Sequence, residues 1–332
     1  MLLLLVSACG RPANAAACRG PQRTALPSRG SRCSEAWQTV RDTLMDIDSP
    51  AIWHGPNGEA WLLVSAKAGN LIRVHEAATG KWLRDVGTAR DAGRGSSSGR
   101  MASRCAGDLL VGRRARRSAR AGTAAVRSSR RSAAYGERDL MKPYGVTIAD
   151  QGAGRYRSWI TDSYELVKDS VPPDSALGRR VREYQVVVER GRATATLAAH
   201  LRGYVTAPGV LRVVESIMAD PANDQLLIAE ELEGASQLKR YTLAGRFTGD
   251  TVPRRFFPNQ AEGIVLYACG DSAGYWVATD QGKVINTYHL FDRKTLAHVG
   301  AFGSPTIKNT DGIALTQRAL PGFPAGRPLR GA

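Results

Sequence analysis

The chain has 332 residues, 43% of them hydrophobic and 7% aromatic, and a net charge of +16. That length can bury the core of one large domain, and five scattered cysteines exclude a small scaffold held by a disulfide framework. The charge does not by itself argue for a polyanion partner, because residues 90–134 hold twelve Arg, no Lys and two Asp and so carry +10 of it.

The opening Met1 to Cys9 is apolar and ends in small residues before a cysteine, as bacterial lipoprotein signals do. Two readings stand: Cys9 as a lipidated N-terminus, or a secretory signal cleaved near Ala15 to Ala17. Both imply export, to the periplasm or to the outer membrane through a lipid anchor on Cys9. Residues 1–17 are therefore read as signal and 18–40 as a flexible Pro/Ala/Arg-rich linker. No later apolar run reaches the roughly 20 residues of a membrane span.

From residue 41 the pattern becomes β-type. Trp61 to Ser65, Asn70 to His75 and Lys81 to Val86 are short runs separated by Gly69 and Thr79-Gly80, which is hairpin grammar. Similar runs follow at Arg157 to Asp162, Val181 to Val188, Gln225 to Ala229 and Gln237 to Thr242. The most complete unit runs from Asn259 to Gly312, with strands expected at Gln260 to Val265, Gly274 to Thr279, Val284 to Phe291 and Ala297 to Phe302.

That unit opens on an acid, then Gly or Ser, then Ile. The same opening stands at Glu215-Ser216-Ile217, Glu262-Gly263-Ile264 and Asp311-Gly312-Ile313, at spacings of 47 and 49 residues. Tyr144-Gly145-Val146 matches without the acid, and the Pro172-Pro173 region supplies an insertion after it. A further start is Asp48-Ser49-Pro50-Ala51-Ile52-Trp53, which lies 96 residues before Tyr144 and leaves room for a whole unit between. Six positions result, so the expected fold over 41–320 is all-β, a six-bladed β-propeller with the second and last blades damaged or incomplete.

Residues 90–134 contain no aromatic residue and cannot bury a sheet face. They read either as a basic arm for nucleic acid or a membrane surface, or as a stretch translated out of register, since a GC-rich strand in another frame yields Arg, Ala, Gly and Ser. The second reading is preferred, because blade grammar stops at Gly87 and resumes in phase at Tyr135. It leaves no nucleic-acid partner. The tail 321–332 has a similar Gly/Pro/Arg composition.

Inner strands of a propeller line its channel, so residues at their starts gather at one rim. Asp48, Glu215, Glu262 and Asp311 are thus expected at one mouth. A ring of carboxylates is costly unless a cation sits in it, and hard oxygen ligands suit Ca²⁺. The alternative is that these acids make local turn hydrogen bonds. Glu230-Glu231-Leu232-Glu233 reads as a solvated turn or as part of the rim. Lys67 reads as an anion contact or as a solitary surface lysine. His54, His75, His200, His289 and His298 show no triad or metal spacing, and no P-loop or dinucleotide fingerprint is present.

Asp48-Ser49-Pro50-Ala51-Ile52-Trp53, Lys67-Ala68-Gly69, Ile228-Ala229-Glu230-Glu231, Glu262-Gly263 and Thr310-Asp311-Gly312-Ile313 resemble the β-propeller phytases. These are six-bladed, calcium-dependent hydrolases of phosphoric monoesters that release phosphate from inositol hexakisphosphate. The resemblance implies a calcium cofactor held by Asp48, Glu215, Glu231, Glu262 and Asp311. It implies catalytic roles for Glu231 and Lys67, and phytate bound by Lys67 and Tyr144 in a monomer. The chain departs from the family at Ser49, where a second acid is usual, and near Ser163-Tyr164, where a lysine is expected. The alternative function is a non-catalytic exported propeller that binds a ligand or protein partner.

Overall fold

A computed structural model describes residues 31–323, except 33–34, 43, 56, 70, 88–139, 190–191, 202–207 and 305. After a two-residue strand β1 (Ser31–Arg32), sixteen strands form four antiparallel meanders. Each is named here by the rim residue of its inner strand. The Asp48 blade comprises β2 (Ile47–His54), β3 (Ala60–Ala66), β4 (Leu71–Glu76) and β5 (Trp82–Gly87). The Tyr144 blade comprises β6 (Pro143–Asp150), β7 (Arg155–Asp162), β8 (Val181–Glu189) and β9 (Arg192–His200). The Glu215 blade has β10 (Val214–Asp220), β11 (Gln225–Glu230), β12 (Gln237–Tyr241) and β13 (Phe247–Val252). The Glu262 blade has β14 (Ala261–Cys269), β15 (Ala273–Asp280), β16 (Thr287–Asp292) and β17 (His298–Gly303).

Second strands such as β11 and β15 are apolar on both faces because a blade is covered on either side by its neighbours. Trp159, Leu226, Ile228 and Tyr241 close the joint between the Tyr144 and Glu215 blades. Leu227, Phe257, Trp276 and Phe291 close the next joint. That joint also holds a fully buried ion pair, Arg293 Nη2 to Asp220 Oδ1 at 2.6 Å. The result is a β-propeller whose first strands β2, β6, β10 and β14 line one central cavity.

Where six blades were expected, the described residues form four. The second position falls on residues 90–134, outside the described residues. At the last position the described residues 311–318 form no strand. The segment still takes an inner place: the Gly263 N–H donates to the Asp311 carbonyl at 2.9 Å, and Ile313 packs on the Glu262 blade. The free edge of β17 is covered in part by β1, which pairs with it in parallel.

Local geometry explains the repeated motif. In every blade the pairing of first and second strands slips at the same point, between Ile47 and Pro50, Pro143 and Val146, Val214 and Ile217, and Ala261 and Ile264. The dipeptides Asp48-Ser49, Tyr144-Gly145, Glu215-Ser216 and Glu262-Gly263 therefore occupy the equivalent bulge position in each blade, and a bulge re-aims a side chain. The second residue is small because the next inner strand abuts it. A Cβ on Gly145 would stand 2.1 Å from the Glu215 carbonyl oxygen, and one on Gly263 2.7 Å from the Ile313 nitrogen. One on Gly312 would stand 2.8 Å from the Ser49 hydroxyl, so the Asp311 segment in turn abuts the Asp48 blade.

Candidate functional site

The rim is completed by the residue that directly follows each second strand: Lys67, Ser163, Glu231 and Gln281. Each anchors its N–H on the carbonyl preceding its own blade's inner strand, those of Asp46 (3.0 Å), Lys142 (2.8 Å), Val213 (2.9 Å) and Gln260 (2.8 Å). The last residue of the second strand is an acid in three blades. Asp162 accepts the N–H groups of Met141 (3.0 Å) and Lys142 (2.6 Å), and Glu230 those of Arg212 (2.7 Å) and Val213 (2.8 Å). Asp280 accepts the N–H of Asn259 at 3.0 Å. These acids are spent on the backbone. This divides the run at 230–233: Glu230 is structural, Glu233 is solvent-exposed, and Glu231 alone enters the rim.

Carboxylate oxygens of Glu215, Glu231 and Glu262 lie within 4.8 Å of one another. Glu231 and Glu262 are each only 4% exposed. Two unit charges at that distance repel by about 3 kcal/mol at an effective dielectric constant of about 20. Burial first, then their acidic neighbours, push both carboxyls well above the usual carboxylate range. Burial and then Asp48 push Glu215 up to about 7. Glu231 and Glu262 share a side-chain hydrogen bond, yet Glu231 Oε1 is buried with no hydrogen-bond partner. Such an oxygen is a costly group to leave unpaired and marks a place for a ligand.

Asp48 and Asp311 are arranged differently. Lys67 Nζ lies 2.9 Å from Asp48 Oδ2 and 3.8 Å from Asp311 Oδ2, bridging the two acids. Burial alone would lower the lysine, but Asp48 and then Asp311 hold it above the ordinary lysine value. Asp48 also accepts the Ser49 hydroxyl at 3.0 Å, and Asp311 accepts the Gln281 amide. Burial followed by Asp48 raises the Asp311 carboxyl. The five acids thus form two groups, a triad and a lysine-bridged pair, not a single ring.

Tyr144 stands in the wall of the same cavity, whose volume is about 250 Å³. Lys142 Nζ sits 5.8 Å from the Tyr144 ring and pairs with Glu165. Sequence reasoning missed Lys142 and Gln281. Gln281 had a usable signal, since it holds in its blade the place that Lys67 and Glu231 hold in theirs. Lys142 had none, because a lysine before a strand is unremarkable until the ring is closed.

Fold and site together define a β-propeller whose channel mouth carries a buried carboxylate triad beside a lysine. A scan of protein-family models finds no match, and no curated protein matches. Solved structures that are similar include the GH43_1 enzyme from Xanthomonas citri complexed with xylose, at 10% identity over 85% of this chain and 82% of that one, TM-score 0.40. Another is the calcium-binding protein regucalcin from Agrobacterium tumefaciens, at 12% identity over 82% and 78%, TM-score 0.35. Hydrazine synthase from Kuenenia stuttgartiensis matches at 12% identity and TM-score 0.29 over 82% of this chain, which spans 54% of that protein. At these identities the likeness is to the fold alone.

Proposed function

We propose that the chain is a calcium-dependent phosphomonoester hydrolase of the phytase type, with phytate the substrate implied by its sequence resemblance. The observation that carries this reading is the triad of Glu215, Glu231 and Glu262, with its unpartnered Glu231 Oε1, on one rim with Lys67. Three carboxylates without a cation among them fit Ca²⁺, which takes hard oxygen ligands and tolerates irregular geometry. Asp48 and Asp311, held by Lys67, would lie beside the ion and complete its surroundings.

Bound calcium would supply the positive charge that keeps the triad ionised and offsets that of the phosphate. Lys67, fixed by two acids, presents its ammonium to phosphate oxygens at the mouth. Tyr144 borders the bound ester. Glu231 Oε1 accepts a proton from the attacking water as the new O–P bond forms and the ester P–O bond breaks. The departing oxygen takes up that proton, leaving an alcohol and inorganic phosphate. The protein is further proposed to act outside the cytoplasm as a monomer anchored through Cys9, a residue outside the described part; lipid labelling lost in Cys9→Ser tests this.

The deciding experiment is phosphate release from phytate with and without calcium, in the wild type and in Glu262→Gln. Calcium-dependent release that the substitution abolishes supports the reading. A calcium-dependent rise in melting temperature without phosphate release favours the binding propeller instead.

A further inference from the structure

The histidines show no metal spacing in the sequence, yet the fold brings two of them together on the outer strands of the Glu262 blade, and neither lines the central cavity. His289 on β16 and His298 on β17 meet with Nδ1 of the first 3.1 Å from Nε2 of the second. Aromatic rings hold them in place. Phe256, from the link between the Glu215 and Glu262 blades, stacks on His298 at 4.6 Å. Phe291 lies 6.0 Å from His289, close to parallel, and Phe257 meets the same ring edge-on at 5.9 Å. The His298 ring also hydrogen-bonds the Gly300 backbone. With Nε2 turned to His289, Nδ1–H makes that bond, so Nε2 carries the lone pair. Metal-ligating histidines are commonly fixed in this way, the second nitrogen donating to a carbonyl.

The separation of the two nitrogens points the same way. An ion about 2.0–2.1 Å from each of two nitrogens 3.1 Å apart makes an N–metal–N angle of about 100°, between the square-planar and tetrahedral values. In the metal-free chain the same gap is filled by His289 Nδ1–H donating to His298 Nε2. Moving that proton to His289 Nε2 frees the second lone pair without altering the charge. Burial lowers both rings, His289 to about 4, so both are neutral and able to coordinate at pH 7. His298 is exposed, which gives an ion entry from solvent.

Ligand type sets the class of ion. No carboxylate among the described residues shifts either ring, so the pair offers nitrogen where the triad offers oxygen. Imidazole suits Zn²⁺, Cu²⁺ and Ni²⁺, whereas Ca²⁺ and Mg²⁺ take oxygen ligands. We infer that His289 and His298 form a site for a late first-row divalent metal ion such as Zn²⁺, with water completing its shell, and that the ion clamps β17 to β16. The inference is independent of the phosphatase reading.

The test is calorimetric titration of the full chain with Zn²⁺ in excess calcium, which competes for carboxylates. Exchanging even a group behind a metal ligand costs about 10–100-fold in affinity. The wild type should therefore bind one equivalent of Zn²⁺ that His289→Gln and His298→Gln each bind at least about tenfold more weakly. His298 is exposed, so its variant keeps the core and decides alone if the other fails to fold. Melting temperature should also rise with Zn²⁺ in the wild type and not in His298→Gln. Zn²⁺ affinity and stoichiometry unchanged by His298→Gln overturn the proposal, as does a wild type that binds no Zn²⁺. A loss in only one of two folded variants marks a single imidazole and overturns it too.

Discussion

Asp48 and Asp311 meet a lysine, whereas Glu215, Glu231 and Glu262 meet one another, although all five leave the same rim of the same propeller. In the first group the chain supplies its own counter-charge, and Gln281 and Ser49 satisfy further carboxylate oxygens. In the second it supplies none within the group and leaves Glu231 Oε1 unpaired. A buried charge that a protein does not neutralise itself is either protonated or neutralised by what it binds. The contrast marks the triad as the ligand end of the rim and the lysine pair as its fixed frame.

A third place calibrates that contrast: Asp220 and Arg293 are as buried as Glu231 and Glu262 but fully paired, with Arg293 also donating to the carbonyls of Gly270 and Ala273, both at 2.9 Å. Arg293→Met should destabilise the fold most, by about 3–5 kcal/mol, because it strands a buried carboxylate. Denaturant unfolding measures this. A loss below 1 kcal/mol would mean that stranded carboxylates are tolerated here, and would weaken the reading of the triad.

The next effect is on pH. Glu215 is raised to about 7 from 4.5, and Glu231, Glu262 and Asp311 are shifted the same way. The calcium-free folded state then binds more protons than the unfolded chain between those values. Its stability should be fullest below pH 4.5 and fall as pH rises to about 7. Glu215 alone contributes at most about 3 kcal/mol, since its side chain keeps some contact with water. Melting curves without calcium should show the decline, and saturating calcium should flatten it.

Glu262→Gln removes one charge from the triad. It should raise stability without calcium by about 1–2 kcal/mol and cut the calcium-dependent rise in melting temperature. Magnesium should substitute poorly in the wild type, as it demands a tighter octahedral shell. An unchanged calcium response in the variant would remove the triad from the site. Lys67→Met should have the smallest effect on stability, about 1 kcal/mol, because the pair is partly exposed. Its effect on phosphate release should be far larger than that, and a variant of full activity would return Lys67 to a purely structural role.

Much of this was legible in the residues. The short apolar runs within Gln225 to Glu230 and Ala273 to Asp280, bounded by turn residues, mark strands, and the recurrent acid-Gly/Ser-Ile motif marks the bulge that aims rim residues inward. The start of the β16 strand was less legible: Val284 and Ile285 continue the apolar pattern, yet they are exposed in the connection before Thr287. A run of β-branched residues reports propensity and not whether a partner strand lies alongside.

The sequence by itself determined the phase of the repeat and four of the five acids that reach the rim, Asp48, Glu215, Glu262 and Asp311, because strand propensity and turn chemistry act over a few residues. Tertiary structure decided the rest. Asp48 and Asp311 are joined through Lys67 only when the chain closes its ring, and Glu231 reaches Glu262 only because adjacent blades pack at their bulges. Among the described residues, four of the six positions that the spacing suggests form blades. Those outcomes depend on distances between residues far apart along the chain, which local pattern does not encode and packing does.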